Sequence, residues 1–325
     1  MKKKFNLPMI KMGGGLLAGM LVPASGWACA CGCGVFDVGG DNMLPSRPGG
    51  MAYLEYDYQD QDQNWSGISS APAANNGDKE IVTHFVTLGM QYMFNRSWGV
   101  EAEVPYWDRF FKTDANFPTG PQDIVTRHWS SLGDIRLKGI YTGFSPDLST
   151  GVTFGLKLPT GDYKYDSDVV DRDSEIGSGS TDLLLGGFHR GNLTKDDLWS
   201  WFTQAQLDLP VVTQDGYRPG TEVDAALGID YQGWVVHGVR ISPVLQAIAS
   251  ERTSDGGPYA SGGADDSPGT GASSGYQRVL ISPGVEFHLH PVKVYADVEV
   301  PVYEHFTGDQ LVAPVLFKVA VSYMF

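Results

Sequence analysis

The most concentrated chemistry in the sequence is Cys29-Ala30-Cys31-Gly32-Cys33, which contains all three cysteines of the 325 residues. Thiolates two residues apart can wrap one soft ion, and sulfur ligands favour Cu(I) or Zn. The small Ala30 and Gly32 leave the backbone free to fold round such an ion. Three thiolates leave a tetrahedral zinc site one donor short, so zinc would need a fourth ligand. Two plainer readings stand beside this one. Cleavage of a leader after Ala30 discards Cys29 and leaves two cysteines to pair or stay idle. Alternatively Cys29 carries lipid, although Gly26 occupies the place where a lipidation signal has an aliphatic residue. An odd cysteine count confined to one segment argues against a disulfide framework.

No reaction centre emerges from the remaining titratable residues. There is no nucleophile elbow, no His-Glu-x-x-His and no phosphate loop. The seven histidines are scattered; His288 and His290 share a strand face, but they lie beside Pro291 at a turn. A phospholipase-like site is the one enzyme option, and nothing singles out its serine. The expectation is that the protein is not an enzyme. A net charge of −15 also argues against nucleic acid as a partner, since phosphate binding needs clustered Lys and Arg.

What remains is a long series of charges at alternate positions, and alternation requires strands. The last eleven residues show the pattern most clearly. Val315, Phe317, Val319, Val321, Tyr323 and Phe325 share one face; Leu316, Lys318, Ala320, Ser322 and Met324 share the other. A strand alternates with period two, so one face is wholly apolar and the other is small or polar. An apolar band closed by an aromatic girdle is the lipid face of an outer-membrane barrel strand. Tyr323 and Phe325 then mark the strand that targets the chain to the barrel-assembly machinery and the outer-membrane lipid. On this reading Val319→Arg lowers folding yield sharply, whereas Lys318→Glu is tolerated.

Similar strands precede it. They are expected at 51–60, 83–94, from 98, 132–144, 150–159, 180–190, 199–209, 222–231, 235–250, 276–290, 292–303 and 315–325. The sum is a transmembrane, all-β, antiparallel meander barrel of about twelve strands. Long loops alternate with short turns, and an even count leaves both termini periplasmic. The dipeptides Val104-Pro105, Leu158-Pro159, Leu209-Pro210 and Val300-Pro301 form a weak repeat near the outer ends of strands, where a missing donor is tolerated. The mean hydropathy of −0.17 does not exclude a barrel, because alternation hides the lipid face in the average.

Parity assigns the lumen. Inward acids are Glu55, Asp57, Glu101, Glu103, Asp134, Asp182, Asp208, Glu222, Asp224, Asp230, Glu286, Asp297 and Glu299. Inward bases are Arg136, Lys138, Lys157, Arg190, Arg240, Arg278, Lys293 and Lys318. The plain reading is a set of cross-barrel ion pairs that hold a narrow lumen. The sharper reading is a permeation path favouring cations, since charged rings set selectivity.

At the N-terminus, Lys2, Lys3, Lys4 and Lys11 precede a short apolar run, Gly13 to Val22, and small-residue cleavage options follow at Ala28 and Ala30. Residues 1–28 read as a signal peptide, 29–49 as a Cys/Gly-rich periplasmic segment and 50–325 as the barrel. Removing 1–28 removes four lysines and no acid, taking the charge from −15 to −19.

Four stretches carry a resemblance. They are Leu132-Gly133-Asp134-Ile135-Arg136-Leu137-Lys138, Leu156-Lys157-Leu158-Pro159-Thr160-Gly161-Asp162, Gly177-Ser178-Gly179-Ser180-Thr181-Asp182-Leu183 and Asp215-Gly216-Tyr217-Arg218-Pro219-Gly220. In this order they resemble the outer-membrane family named for the meta-pathway of phenol degradation, over roughly residues 50–325. The resemblance implies a meander barrel that moves small molecules, often aromatic hydrocarbons. It supplies no catalytic residues and does not account for the cysteine segment. The expected function is a small-solute channel. The alternatives are soft-metal binding or transport through the three cysteines, and a structural or partner-docking barrel with a closed lumen.

Overall fold

The computed structural model describes residues 44–118, 120–166, 169–257 and 274–325. The cysteine segment and the leader lie outside the described residues. Twelve strands form the wall: β1 (Gly49–Gln61), β2 (Asp78–Met93), β3 (Trp98–Asp114), β4 (in two parts, Ile124–Leu132 and Ile135–Tyr141), β5 (Thr150–Leu158) and β6 (Ser180–Asn192). These are followed by β7 (Trp199–Thr213), β8 (Glu222–Tyr231), β9 (Val239–Arg252), β10 (Tyr276–Leu289), β11 (Val292–Val312) and β12 (Leu316–Met324). Each pairs antiparallel with its sequence neighbour, and β12 returns to β1 from Met51↔Met324 to Gln59↔Leu316. The sheet therefore has no free edge along its spanning length. In lipid, where no water can satisfy an open ladder, that closure is obligatory.

Alternation places the side chains as the sequence implies. Leu54 and Tyr56 on β1, Leu88, Met90 and Tyr92 on β2, and Phe317, Val319 and Val321 on β12 are exposed on the outer wall. Their strand neighbours Glu55, Asp57, Gln91 and Lys318 are buried inside. Aromatic contacts ring the short-turn end, among them Tyr92–Phe94, Trp98–Tyr141, Trp199–Tyr231, Tyr231–Trp234 and Tyr323–Phe325. At the long-loop end Tyr58 packs on both His84 and Phe317. These aromatic contacts flank the apolar band as interfacial girdles do.

The structure corrects several strand ends. β11 runs well past 303 to Val312, with Gly308 inside it at a register shift, and β3 extends from Trp98 to Asp114. The upper end of β11 is covered by a short strand, Gln63–Gly67, from a stretch that reads as polar loop. Pro105, Pro210 and Pro301 sit inside strands, not at their ends. Pro210 and Pro301 lie where the register slips by a residue. Pro105 faces the break in β4, where the Gly133 N–H donates to its carbonyl. A bulge or break leaves no ladder partner waiting for the missing N–H, which is why proline is accepted there.

The break in β4 also changes the parity of the strand. Trp129 is buried above it and Asp134, Lys138 and Ile140 are buried below it. Gly133 and Asp134 thus re-aim the wall at one height, and that height proves to be where a loop enters the barrel.

Candidate functional site: a charged lumen between a plug and a cap

The lumen has three levels. At the short-turn end Leu44 is 8% exposed and packs with Met93, Ile140, Leu148, Phe188, Phe202, Val244, Tyr295 and Ala320. The Arg190 Nη2 donates to the Pro45 carbonyl at 3.1 Å, which ties this incoming chain to β6. Above this apolar plug is a cavity of about 70 Å³ bordered by Leu44, Tyr53, Glu101 and Lys138.

The middle level is a belt of charges in which three lysines each bridge two carboxylates. Lys138 Nζ lies 3.1 Å from Glu101 and 2.8 Å from Glu103. Lys157 lies 2.5 Å from Asp182 and 2.7 Å from Asp208. Lys318 lies 3.4 Å from both Glu55 and Asp57. Register creates the first contact of each: Glu101↔Lys138, Lys157↔Asp182 and Asp57↔Lys318 are direct cross-strand partners. The second acid stands two residues along the same strand as the first at Lys138 and Lys318, and on the next strand at Lys157. Taken alone each triad carries one surplus negative charge, which Arg136, 3.8 Å from Glu103, offsets at the first. Removing the lysine from such a group leaves carboxylates buried without compensation, a loss of roughly 3–5 kcal/mol.

Hydroxyls and amides hold most of the other inward acids. Tyr53 donates to Glu103 at 2.9 Å. Gln246, Ser282 and Tyr295 all donate to Asp297, at 3.0, 2.7 and 2.7 Å. Ser200 donates to Asp230 at 2.7 Å, Ser250 to Asp224 at 2.5 Å and Tyr276 to Glu222 at 2.5 Å. Arg136 reaches Glu103 at 3.8 Å, and Lys293 reaches Glu286 at 3.3 Å. Arg278 is buried over the Tyr276 ring, and Glu299 is buried close by on β11. Arg240 differs: it is exposed at the short-turn mouth, beside the Trp234–Val236 hairpin, and bonds Gln232.

The third level is the segment between β5 and β6, whose described residues, 159–166 and 169–179, fold into the barrel. Its neck passes the break in β4. Asp134 accepts from the Gly161 and Ser178 N–H groups at 2.9 and 2.8 Å and from the Ser178 hydroxyl at 2.5 Å. The two sides of the neck touch backbone to backbone, since a Cβ on Gly177 would lie 2.4 Å from Gly161. Glycine is required there by space alone. Inside, Val170 and Ile176 pack with Ile81, Phe111, Trp129 and Leu311. Arg109 of β3, 0% exposed, donates to the Ser174 and Glu175 carbonyls.

Further contacts tie this cap to the wall and to the next loop. Arg172 lies between the Tyr163 and Tyr217 rings, 4.4 and 4.7 Å from their centroids. Tyr217 in turn donates to Asp255 at 2.8 Å. Trp129 stacks on Tyr165, and Arg127 pairs with Asp166 at 2.5 Å. Between cap and belt lies a cavity of about 130 Å³, whose borders include Trp107, Arg136, Lys157, Asp208, Glu175 and Tyr217.

Among the described residues no cluster of three or more His, Cys, Asp or Glu could hold a metal ion. Cys29, Cys31 and Cys33 fall outside that set. Sequence reasoning missed the cap and the plug. Arg109 shares the parity of Glu101 and Glu103, so alternation could have found it. Nothing in a polar loop announces that Val170 and Ile176 turn inward.

Fold and lumen together define a closed twelve-stranded antiparallel barrel of the outer-membrane type. Residues 79–173 match the family model described as "Putative MetA-pathway of phenol degradation", the family that the sequence motifs resemble. An outer-membrane channel from Pseudomonas putida F1 is similar in structure, with a TM-score of 0.61 at 11% identity, over 90% of this chain and 100% of that one. The beta domain of the Bordetella autotransporter BrkA gives 0.47 at 14% identity, over 86% and 100% of the two chains. The Pseudomonas putida toluene transporter TodX gives 0.43 at 9%, over 89% and 94%. No curated protein matches the sequence. At these identities the likeness is one of fold.

Proposed function

We propose that the protein is a passive outer-membrane channel for small polar solutes, cations above anions, with its short turns and both termini on the periplasmic side. The supporting observation is the belt: each of its three lysines is shared by two buried acids, so the middle of the lumen is polar and negative on balance. Charged rings of one sign select the opposite ion. A hydrocarbon gains nothing by leaving lipid for such a surface. The wall contributes outer-membrane lipid and the assembly machinery as partners, and the solute is the cargo. Liposome swelling tests this: vesicles holding the protein should swell faster in a small cationic or neutral polar osmolyte than in an anion of equal size. Equal rates with and without protein for every solute would leave a structural barrel with a closed lumen.

The soft-metal reading keeps one observation in its favour. Leu44 is held inside the short-turn mouth, and ten residues lie between it and Cys33. An ion on Cys29, Cys31 and Cys33 is therefore tethered within about 40 Å of the lumen. Copper and zinc content of the mature protein, against a variant with the three cysteines changed to Ser, tests it. About one ion per chain lost in the variant supports a metal site, and equal content removes it.

A further inference from the structure

Glu175 is a buried acid of the cap, not of the barrel wall. It is 5% exposed, and among the described residues neither carboxylate oxygen receives a hydrogen bond of normal geometry. It sits at the inner end of the cap, between Ser174, whose carbonyl Arg109 holds, and Ile176, which packs in the apolar cluster. Its side chain borders the cavity above the belt. The cap can occupy the lumen only with this carboxyl buried. Withdrawn into the loop space outside, the same carboxyl would be in water.

From this geometry we infer that Glu175 makes the cap a pH-operated gate: protonated, it lets the described cap residues, 159–166 and 169–179, rest in the barrel, and ionised, it favours their withdrawal. The proposal rests on the channel reading for its consequence, since a gate matters only to something that passes.

The groups around Glu175 set the direction. On its own segment Asp162 repels its ionised form, while Arg172 and the Asp166 and Tyr165 backbone N–H groups support it. Arg172 is engaged by two aromatic rings and the Gly177 and Ser178 carbonyls. From the wall, the Arg109 guanidinium meets the Glu175 backbone carbonyl. Across the cavity Arg136 faces Glu103, and Lys157 is bound between Asp182 and Asp208. On the far side Glu222 accepts from Tyr276 and Arg252 pairs with Asp255 at 2.5 Å. Asp57 holds Lys318, and Asp134 holds the neck. The cations near the cavity are engaged elsewhere. Burial first, and then Asp162, push the Glu175 carboxyl up to about 7.

A carboxyl whose value is raised in the closed state favours closure when it is protonated. That preference is complete below its ordinary value near 4.5 and falls away as pH rises toward 7. Between pH 5.5 and 8.5 the closed-to-open ratio should drop about thirtyfold, from the two protonation equilibria alone.

The test uses the full mature protein, with two readouts from one set of samples. Single-channel open probability is recorded at pH 5.5 and 8.5 for the native protein and for Glu175→Gln. In parallel, a spin label at Val169→Cys, in a chain with Cys29, Cys31 and Cys33 changed to Ser, reports cap mobility at the same two values. Barrel folding is checked by heat-dependent gel migration. Expected are openings and label mobility that rise with pH in the native protein, and a cap held immobile at both values in Glu175→Gln. An immobile label at both values in the native protein, or an undiminished response in Glu175→Gln, would overturn the gate. A label that responds while no current flows at either pH would keep the gate and remove the channel reading.

Discussion

The two ends of the lumen are narrowed by opposite chemistry. The short-turn end holds an apolar plug, in which Leu44 packs against side chains from several strands and one hydrogen bond ties Pro45 to Arg190. The long-loop end holds a cap that is polar for most of its contacts: Asp134 at the neck, Arg109 at the tip, Arg172 between two rings. Hydrophobic contact is non-directional and carries no titrating charge, whereas charged hydrogen bonds depend on geometry and ionisation. The plug is thus suited to staying in place and the cap to responding.

The belt between the two ends is common to both, so breaking it should have the largest effect. Alternation alone makes Lys318→Glu look harmless, because the residue faces inward. In the structure Lys318 is 1% exposed between Glu55 and Asp57, and a third carboxylate there would be uncompensated. A destabilisation of roughly 3–5 kcal/mol is expected, read as lost folding yield and a lower gel-shift temperature. It should equal or exceed that of the lipid-facing Val319→Arg, at about 2–4 kcal/mol.

Next in size is the cap itself. Asp134→Ala removes the acceptor of three hydrogen bonds, so about 3 kcal/mol of cap docking should be lost while the barrel stays folded. Open probability should rise at every pH, and an unchanged closed trace would mean that the neck does not hold the cap. Leu44→Ala should loosen the plug by about 2 kcal/mol, with little dependence on pH. Added permeability of the same size at pH 5.5 and 8.5 would separate it from the cap variants. The smallest effect is that of salt. The pair Lys164–Asp215, at 2.8 Å and exposed, should weaken in molar salt, seen as slightly faster proteolysis at Lys164. An equal salt effect on the plug would blur the distinction between the ends.

Much of the wall was legible. Val319 outside and Lys318 inside follow from a two-residue period, and the strands that carry Glu55, Glu101 and Asp297 follow from the same rule. Parity could not foresee the break at Gly133 and Asp134, where one strand changes face without leaving the wall. It could not foresee the cap either, because the cap's inward turn depends on a neck between Gly161 and Gly177 that are distant from Asp134 in sequence. Those residues were nevertheless in view as motifs. Asp134, Gly161, Ser178 and Tyr217 each belong to one of the four recognised stretches. Three of the stretches meet at the neck and the fourth meets Arg172. The pattern was visible in one dimension, and its cause is a contact in three.

The most direct test of a cation-favouring channel is the reversal potential of Asp134→Ala in a planar bilayer under a tenfold potassium chloride gradient. With the cap released and the belt intact, current should reverse toward the potassium equilibrium potential, and neutralising Asp208 and Asp57 to Asn should reduce that displacement. A reversal toward chloride, or a sealed membrane despite a folded barrel, would contradict the account.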